Sequence, residues 1–296
     1  MSIALISALV TVFLFETLFP KASFNPVVAT PSIAPAPLRE TIPKPVQPSL
    51  FAQELVVLEQ LHQQAARVTI DQLTAEDRAY SSATMLAMPV LAADAVTPPQ
   101  YRININPTNF GDRFSRDVQG HPVHNRLLIV LHETTGTVSG AISAMLTPHV
   151  RDEDQFSYHA AIRWDGAIVY LVDPQKRAYG AGDSMFKGSQ GPETVKTKKN
   201  LDPSVNNFAY HISLETPIDG QENQDPSHSG YTEAQYTSLA WLIAQSRVPS
   251  DRVTTHAAVD QSGERQDPRS FDMERLRNTL LLQTDPLMSL HTTPPP

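Results

Sequence analysis

The stretch Leu127-Leu-Ile-Val-Leu-His132 places five consecutive aliphatic residues directly before a histidine. A short, continuous aliphatic run of this kind is typical of a strand that is buried on both faces of a sheet. The histidine then lies where the strand ends, and binding groups collect at the ends of rigid strands and in the loops that follow them. The run therefore predicts a central strand with His132 at the edge of the sheet.

From residue 125 onward, the sequence alternates between strand and helix patterns. Tyr158–Arg163 and Ala167–Val172 flank an Asp-Gly pair, which favours a tight hairpin turn. Phe208–Glu215 has an apolar face and a polar face, as a strand on a packed sheet does. Thr232-Glu-Ala-Gln235 has the spacing of a capping box that opens a helix. These patterns predict the α/β class, with a mixed central sheet and covering helices.

Proline separates this domain from the rest of the chain. The 25 prolines of the 296 residues cluster in residues 26–48, around 89–107 and in the last dozen residues, which is typical of linkers and tails. Residues 49–88 have helical periodicity. The predicted segments are 1–29 as a signal peptide or membrane anchor, 30–48 as a Pro-rich linker, 49–124 as a small helical appendage with an irregular connection, 125–282 as the α/β domain and 283–296 as a disordered tail.

The amino terminus predicts export. Residues 3–15 are apolar, too short to span a bilayer comfortably but of the right length for the core of a signal peptide. Val27-Val-Ala29 supplies small residues of the kind found at cleavage sites. An uncleaved membrane anchor and a buried helix are the alternatives. We expect the protein in the periplasm or cell envelope.

Composition excludes several classes of function. A net charge of −8 argues against nucleic-acid binding, which needs clustered lysine and arginine. The absence of cysteine excludes disulfides, thiol nucleophiles and Cys-ligated metals. The chain has no P-loop, no Gly-x-Gly-x-x-Gly and no Gly-x-Ser-x-Gly motif. We expect a monomer.

Two further residues make His132 a candidate metal ligand. His256 ends the short strand pattern Arg252-Val-Thr-Thr-His256, and Asp267 follows eleven residues later in a loop before Pro268. Imidazole nitrogen and carboxylate oxygen are ligands of zinc, and three protein ligands leave one tetrahedral position open, as in hydrolases. The alternative is that each histidine is an ordinary hydrogen-bonded group.

A hydrolase of this kind also needs a proton-transfer group and a group that stabilises an oxyanion. Glu215, on the polar face of its strand, is the candidate for the first. Arg265, two residues before Asp267, is the candidate for the second. The alternatives are a solvated carboxylate and a surface arginine paired with Asp267 or Glu264.

Residues 125–276 resemble the zinc-dependent N-acetylmuramoyl-L-alanine amidases of the type-2 amidase and peptidoglycan recognition protein superfamily. The matching pieces are, in chain order, Leu128-Ile-Val-Leu-His132, Ser157–Val172, Lys176–Gly182, Tyr231–Leu239, Arg252–His256 and Arg265-Gln-Asp267-Pro268. The resemblance implies Zn²⁺ ligands at His132, His256 and Asp267. It also implies hydrolysis of the amide between the muramic-acid lactyl group and L-alanine, with peptidoglycan or muropeptides as the substrate.

Three departures from the family pattern bear on activity. The catalytic glutamate of the family's Ile-Glu-x-Glu pattern is replaced by Ser213, and Glu215 lies two residues further on. The frequent Trp-His-Ala-Gly reads Tyr179-Gly-Ala-Gly182, which loses a histidine. The usual lysine before the aspartate ligand is Arg265, which keeps the charge but does not readily release a proton. The alternatives are a non-catalytic peptidoglycan-binding protein of the same fold and a zinc amidase for another exported amide.

Overall fold

The computed structural model of the protein describes residues 49–83 and 97–284. The predicted signal peptide or anchor, the Pro-rich linker and most of the predicted tail lie outside these residues. The helices are α1 Leu50–Gln64, α2 Ile70–Ala83, α3 Val138–Leu146, α4 Glu233–Ser246, α5 His256–Val259 and α6 Met273–Thr284. The strands are β1 Ala66–Arg67, β2 Gln100–Arg102, β3 Phe110–Asp112, β4 Leu128–Glu133, β5 Ala160–Ile162, β6 Ile168–Tyr170, β7 Lys176–Ala178, β8 Phe186–Gly188, β9 Gly191–Glu193, β10 Ala209–Leu214 and β11 Val253–Thr255.

Seven strands form the main sheet, in the order β1-β2-β6-β5-β10-β4-β11. The β5–β6 hairpin is antiparallel and the other neighbours are parallel. This confirms the predicted mixed sheet and the predicted hairpin. Gly166 in the hairpin turn has φ +87°, a left-handed conformation that glycine adopts without strain.

Strands β4 and β10 lie side by side near the centre of the sheet, and every residue in both is buried. Leu127, Ile129 and Leu131 pack on one face with the apolar side of α4, whereas Leu128 and Val130 pack on the other. Because side chains alternate along a strand, His132 lies on the same face as Leu128 and Val130. The aliphatic run therefore buries both faces of β4 and leaves a polar side chain at its end.

Residues before the α/β domain are part of the same structure. Leu58 on α1 belongs to the main core, and the Glu54 carboxylate accepts hydrogen bonds from Arg126 and from the backbone N–H of Leu127. Strand β2 pairs with β6, and β1 pairs with β2. The boundary expected near residue 124 therefore does not divide the sheet.

Helix starts follow local hydrogen bonding. Thr232 and Gln235 form the predicted capping box at the start of α4. The strand expected to end at His256 instead ends at Thr255, whose side chain accepts a hydrogen bond from the Ala258 N–H and so caps α5. His256 is therefore the first residue of a helix. No helix in the described ranges is long and apolar enough to cross a bilayer.

Residues 178–207, which show no helical or strand periodicity in the sequence, contain regular structure. Strands β8 and β9 form a short antiparallel hairpin, and Val205–Asn207 forms a 3-10 turn that leads into β10. The side chain of Asn206 accepts a hydrogen bond from the Ala181 N–H, and Asn207 pairs with the backbone of Phe114. Polar side chains thus hold the loop to the domain, which periodicity alone does not reveal.

We predict that Leu58→Ala lowers the free energy of unfolding by about 2–5 kcal/mol, because the truncation leaves a cavity in the main core. Chemical denaturation followed by circular dichroism measures the change. Leu50→Ala on the same helix is the matched control, because Leu50 is 54% exposed, and it should change the free energy by a few tenths at most. A Leu58→Ala effect as small as that of Leu50→Ala would mean that α1 does not belong to the folding unit.

Candidate metal centre

His132, His256 and Asp267 come together at the carboxyl end of β4. One ligand atom from each residue lies within 4.8 Å of the other two. Nδ1 of His132 is 3.2 Å from Oδ2 of Asp267, and Nδ1 of His256 is 3.1 Å from the same oxygen. The structure thus assembles the three residues that the sequence singled out, from a strand end, a helix start and a loop.

Local structure fixes the loop that carries Asp267. The backbone N–H of Ala257, in α5, donates to the carbonyl oxygen of Asp267 at 2.9 Å. Upstream, the carboxylate of Asp260 accepts hydrogen bonds from successive backbone N–H groups, those of Ser262, Gly263, Glu264 and Arg265. The loop is therefore tied at both ends to the helix that begins with His256.

The charges suit metal binding near neutral pH. Burial lowers the pKa of His132 to about 4, so the ring is neutral and keeps a lone pair. Burial alone raises the pKa of Asp267, but hydrogen bonds from His132 and His256 outweigh that effect, and the net pKa lies below its usual range. At neutral pH the cluster therefore presents a neutral imidazole beside an ionised carboxylate.

The donor set fits a zinc ion. Two imidazole nitrogens and one carboxylate are the kind of three-ligand set found in catalytic zinc sites. The Asp267 carboxylate is hydrogen-bonded to the two histidines, and no arginine or lysine pairs with it in the described part of the chain. Among the described residues, no other group of histidine, aspartate and glutamate side chains has a geometry suited to a metal.

A buried ion pair joins two residues that are close in sequence to the candidate ligands. Glu133 follows His132, Arg269 follows Asp267 by two residues, and Oε1 of Glu133 is 2.5 Å from Nε of Arg269. The second oxygen of Glu133 accepts hydrogen bonds from Nε2 of His228 and from the Tyr231 hydroxyl. Neither Glu133 nor Arg269 was singled out in the sequence, because each reads as an ordinary charged loop residue.

Arg265 and Tyr158 lie next to the three candidate ligands. The Arg265 side chain is exposed, and its charge is near enough to add to the lowering of the pKa of His132 by burial. The Tyr158 ring centroid lies 5.0 Å from that of His132. Burial and the charge of Asp267 raise the pKa of Tyr158, so its hydroxyl stays protonated at neutral pH. The sequence pattern predicts only a strand position for Tyr158, although its place beside His159 at the start of the hairpin is a usable signal.

The two residues that compete for the proton-transfer role occupy different surroundings. Ser213 pairs in register with His132, and its hydroxyl is buried. Oε2 of Glu215 accepts a hydrogen bond from the backbone N–H of Trp164 at 3.1 Å, and the Val138 N–H also donates to this carboxylate. Burial raises the pKa of Glu215 to about 7, and the charge of Asp77 adds to the rise. Glu215 therefore joins the hairpin turn to the start of α3 and titrates near neutral pH.

The helical appendage contributes to this region. Arg163 is almost fully buried and pairs with Asp77 and Glu76 on α2, with N–O distances of 2.9 and 3.0 Å. The Ser139 hydroxyl on α3 donates to the second oxygen of Asp77. The helical appendage thus supplies a charge that adds to the rise in the pKa of Glu215, whereas the charge of Arg163 opposes it.

Residues 119–270 match the sequence profile of the Amidase_2 family, described as N-acetylmuramoyl-L-alanine amidase. The match covers just over half of the chain, and the protein belongs to this family. All three candidate ligands lie within the matched region.

The chain is also similar to the 1,6-anhydro-N-acetylmuramyl-L-alanine amidase AmpD of Salmonella typhimurium strain LT2. The two are 30% identical over 132 residues, which are 43% of this chain and 59% of the relative; the protein of strain SL1344 gives the same figures. The chain thus matches about three fifths of the length of these relatives.

Two solved structures were also found. The Citrobacter freundii AmpD solution structure is 21% identical, with coverage of 72% of this chain and 100% of that one and a TM-score of 0.37. The E. coli amidase AmiD, in complex with anhydro-N-acetylmuramic acid-L-Ala-D-γ-Glu-L-Lys, is 18% identical, with coverage of 55% and 65% and a TM-score of 0.38.

We predict that Glu215 makes stability depend on pH. Its pKa is about 7 in the folded protein against 4.5 as the ordinary value, so the folded state retains a proton that the unfolded chain releases earlier. This contribution is full below pH 4.5 and is lost as the pH rises through 7, by up to ~3 kcal/mol. Denaturation of the parent and Glu215→Gln proteins at pH 5, 6, 7 and 8 measures it. Parallel pH profiles for the two proteins would contradict the shift.

Proposed function

We propose that the protein is a zinc-dependent hydrolase that cleaves the amide bond between N-acetylmuramic acid and L-alanine in peptidoglycan or its fragments. The observation that carries this proposal is the cluster of His132, His256 and Asp267 within the region that matches the amidase family. A bound zinc ion would supply Lewis-acid activation of water and of the amide carbonyl. The donor set and its charge state support that role.

The chain's own residues divide the remaining work. Asp267 contributes the one negative charge of the proposed ligand set, and its carboxylate lies within 3.2 Å of Nδ1 of both histidines. We propose that the exposed Arg265 guanidinium stabilises negative charge on the carbonyl oxygen of the substrate, a role that needs a fixed cation but no proton release. The protonated hydroxyl of Tyr158, whose ring lies 5.0 Å from that of His132, is a second candidate donor.

We further propose that Glu215 takes up and returns the proton. A pKa of about 7 suits a group that exchanges protons near neutral pH. The Ser213 hydroxyl stands at the position of the family's glutamate but is far too weak a base. Glu215 also accepts hydrogen bonds from the backbone N–H groups of Trp164 and Val138. Its replacement can therefore affect folding as well as turnover, and the experiment must measure both.

A second function has one observation in its favour. Ser213 removes the carboxylate from the position where the family's catalytic glutamate is expected, which is compatible with a peptidoglycan-binding protein that does not cleave. The intact set of candidate metal ligands favours the enzyme, because a binding role does not require it. A zinc amidase for a different exported amide is the remaining alternative.

The substrate form and the location of the protein are also proposals. The Salmonella relatives are named for the 1,6-anhydro form of the sugar, so both anhydro and hydrated muropeptides should be offered. The apolar run at residues 3–15 and the Pro-rich segment after it support export to the periplasm or cell envelope. Fractionation of cells that produce the full chain tests this, and recovery of unprocessed protein only in the cytosol contradicts it.

We predict that the parent protein binds one zinc ion, and that His132→Ala loses both the metal and the release of stem peptides from purified peptidoglycan. Metal content is measured by elemental analysis and the products by mass spectrometry, with and without a chelator. His121→Ala is the control, because the His121 side chain is exposed and its ring pairs with Asp117, away from the three candidate ligands. Zinc retained in stoichiometric amount by the His132 variant would remove the assignment. Zinc binding without cleavage would favour the binding protein, and cleavage of another amide would favour the third alternative.

We predict that Glu215→Gln keeps its zinc and loses about 10²-fold or more in turnover, the usual scale for a general acid–base group. Ser213→Ala is the matched control on the same face of β10 and should lose little. Thermal melts of both variants at pH 5, where Glu215 is protonated, show whether they are folded. Turnover of Glu215→Gln at nearly the parent rate would move the proton-transfer role to another residue or to solvent.

A further inference from the structure

A third histidine, His211, lies within hydrogen-bond distance of His132 in the candidate metal centre. It lies on β10, fully buried, and its Nδ1 is 2.9 Å from Nε2 of His132. His132 thus presents its two ring nitrogens to different partners, with Nδ1 toward Asp267 and Nε2 toward His211. From the sequence pattern, His211 is predicted only to lie in the strand Phe208–Glu215.

A fourth histidine shows how the protons in this region are arranged. The backbone N–H of His211 donates to Nδ1 of His159 at 2.9 Å. His159 must therefore carry its proton on Nε2, which faces the carbonyl oxygen of Lys176 at 3.2 Å. The guanidinium of Arg113 lies 3.2 Å from the same Nε2, but it cannot donate to a nitrogen that already holds a proton and donates instead to the Ala209 carbonyl.

The same reasoning applies to His132 and His211. A neutral imidazole has one donor nitrogen and one acceptor nitrogen. If Nδ1 of His132 is to offer its lone pair to a metal, the proton of that ring lies on Nε2 and is donated to Nδ1 of His211. The proton of His211 then lies on its own Nε2, which is buried and has no hydrogen-bond partner among the described residues.

The backbone leaves room for the His211 ring at one point. A Cβ atom on Gly180 would lie 2.5 Å from both Cγ and Nδ1 of His211, closer than real contacts allow. Gly180 is the position at which the chain lacks the histidine of the Trp-His-Ala-Gly pattern. A glycine in the loop and a histidine on β10 therefore occupy the space together, and the imidazole in this space comes from the strand.

We propose that His211 is a positioning residue that fixes the tautomer and the orientation of His132 by accepting a hydrogen bond from its Nε2–H. The inference rests on the proposed metal site and deepens it. Residues that hold the second nitrogen of a metal-ligating histidine in this way commonly contribute 10- to 100-fold to metal affinity. Here the acceptor is a neutral imidazole, whereas a carboxylate or a carbonyl oxygen serves in many sites.

Zinc titration in competition with a chromophoric chelator tests the proposal. We expect His211→Leu, which keeps bulk but removes the acceptor, to bind zinc 10- to 100-fold more weakly. His211→Asn places an amide oxygen near the position of Nδ1 and should recover most of the affinity. Gly180→Ala displaces the His211 ring without touching a ligand and should also weaken binding.

His62→Leu is the control for the loss of a buried histidine. His62 is buried like His211 and hydrogen-bonds to the Tyr210 hydroxyl. Its loss should leave zinc affinity unchanged. The ring nitrogens of ¹⁵N-labelled protein give an independent signature. In the zinc-loaded parent protein, we expect the proton of His211 on Nε2 and the proton of His132 on Nε2.

The outcomes separate the two proposals. A parent protein that binds no zinc overturns the proposed metal site, and this inference with it. A parent protein that binds zinc, together with His211→Leu at equal affinity or a His211 proton found on Nδ1, overturns the inference alone. If His211→Leu does not fold, the Gly180→Ala titration and the nitrogen spectra decide the question.

Discussion

The buried ion pair between Glu133 and Arg269 holds the site together. Glu133 is the neighbour of His132, and Arg269 lies two residues after Asp267, so one contact joins the chain segments of two candidate ligands. Loss of one partner from a buried pair typically costs about 3–5 kcal/mol, because a charge is left without compensation. The guanidinium of Arg269 also donates to main-chain oxygens of the loop after β10, those of Gly220, Asn223 and Asp225.

This arrangement bears on the serine at position 213. The positions of His132 and Asp267 depend on the backbone segments that the ion pair fixes, and not on the identity of the residue at 213. A serine in place of a glutamate on β10 therefore changes the chemistry near the ligands without removing what holds them. The proposed metal site and the proposed proton transfer therefore depend on different residues, and the three candidate ligands lie together although Ser213 stands where the family pattern has its glutamate.

Sequence patterns predicted what depends on local spacing. The aliphatic run before His132, the Asp-Gly hairpin and the Thr232–Gln235 capping box each have a physical signature within a few residues, and each is confirmed. The three candidate ligands could be predicted because His132 and His256 each end a strand pattern and Asp267 lies in the loop that follows the second. What was missed depends on pairing across the chain: β1 and β2 in the main sheet, and Glu133 with Arg269. The direction of the Glu215 carboxylate was also missed, because it is set by backbone N–H groups about 50 and 80 residues away.

The pairing of β2 with β6 separates two boundaries that are often treated as one. The family match begins at residue 119, but Ile168 donates its N–H to the carbonyl oxygen of Pro99, and Ile103 donates to that of Tyr170. A fragment trimmed to the matched region would lack β2. Strand β6, Ile168–Tyr170, would then be an exposed edge with unpaired backbone groups and apolar side chains. Such an edge is a template for association with other chains. Fragments intended for expression should therefore begin before α1, since the unit that folds is larger than the unit that the family shares.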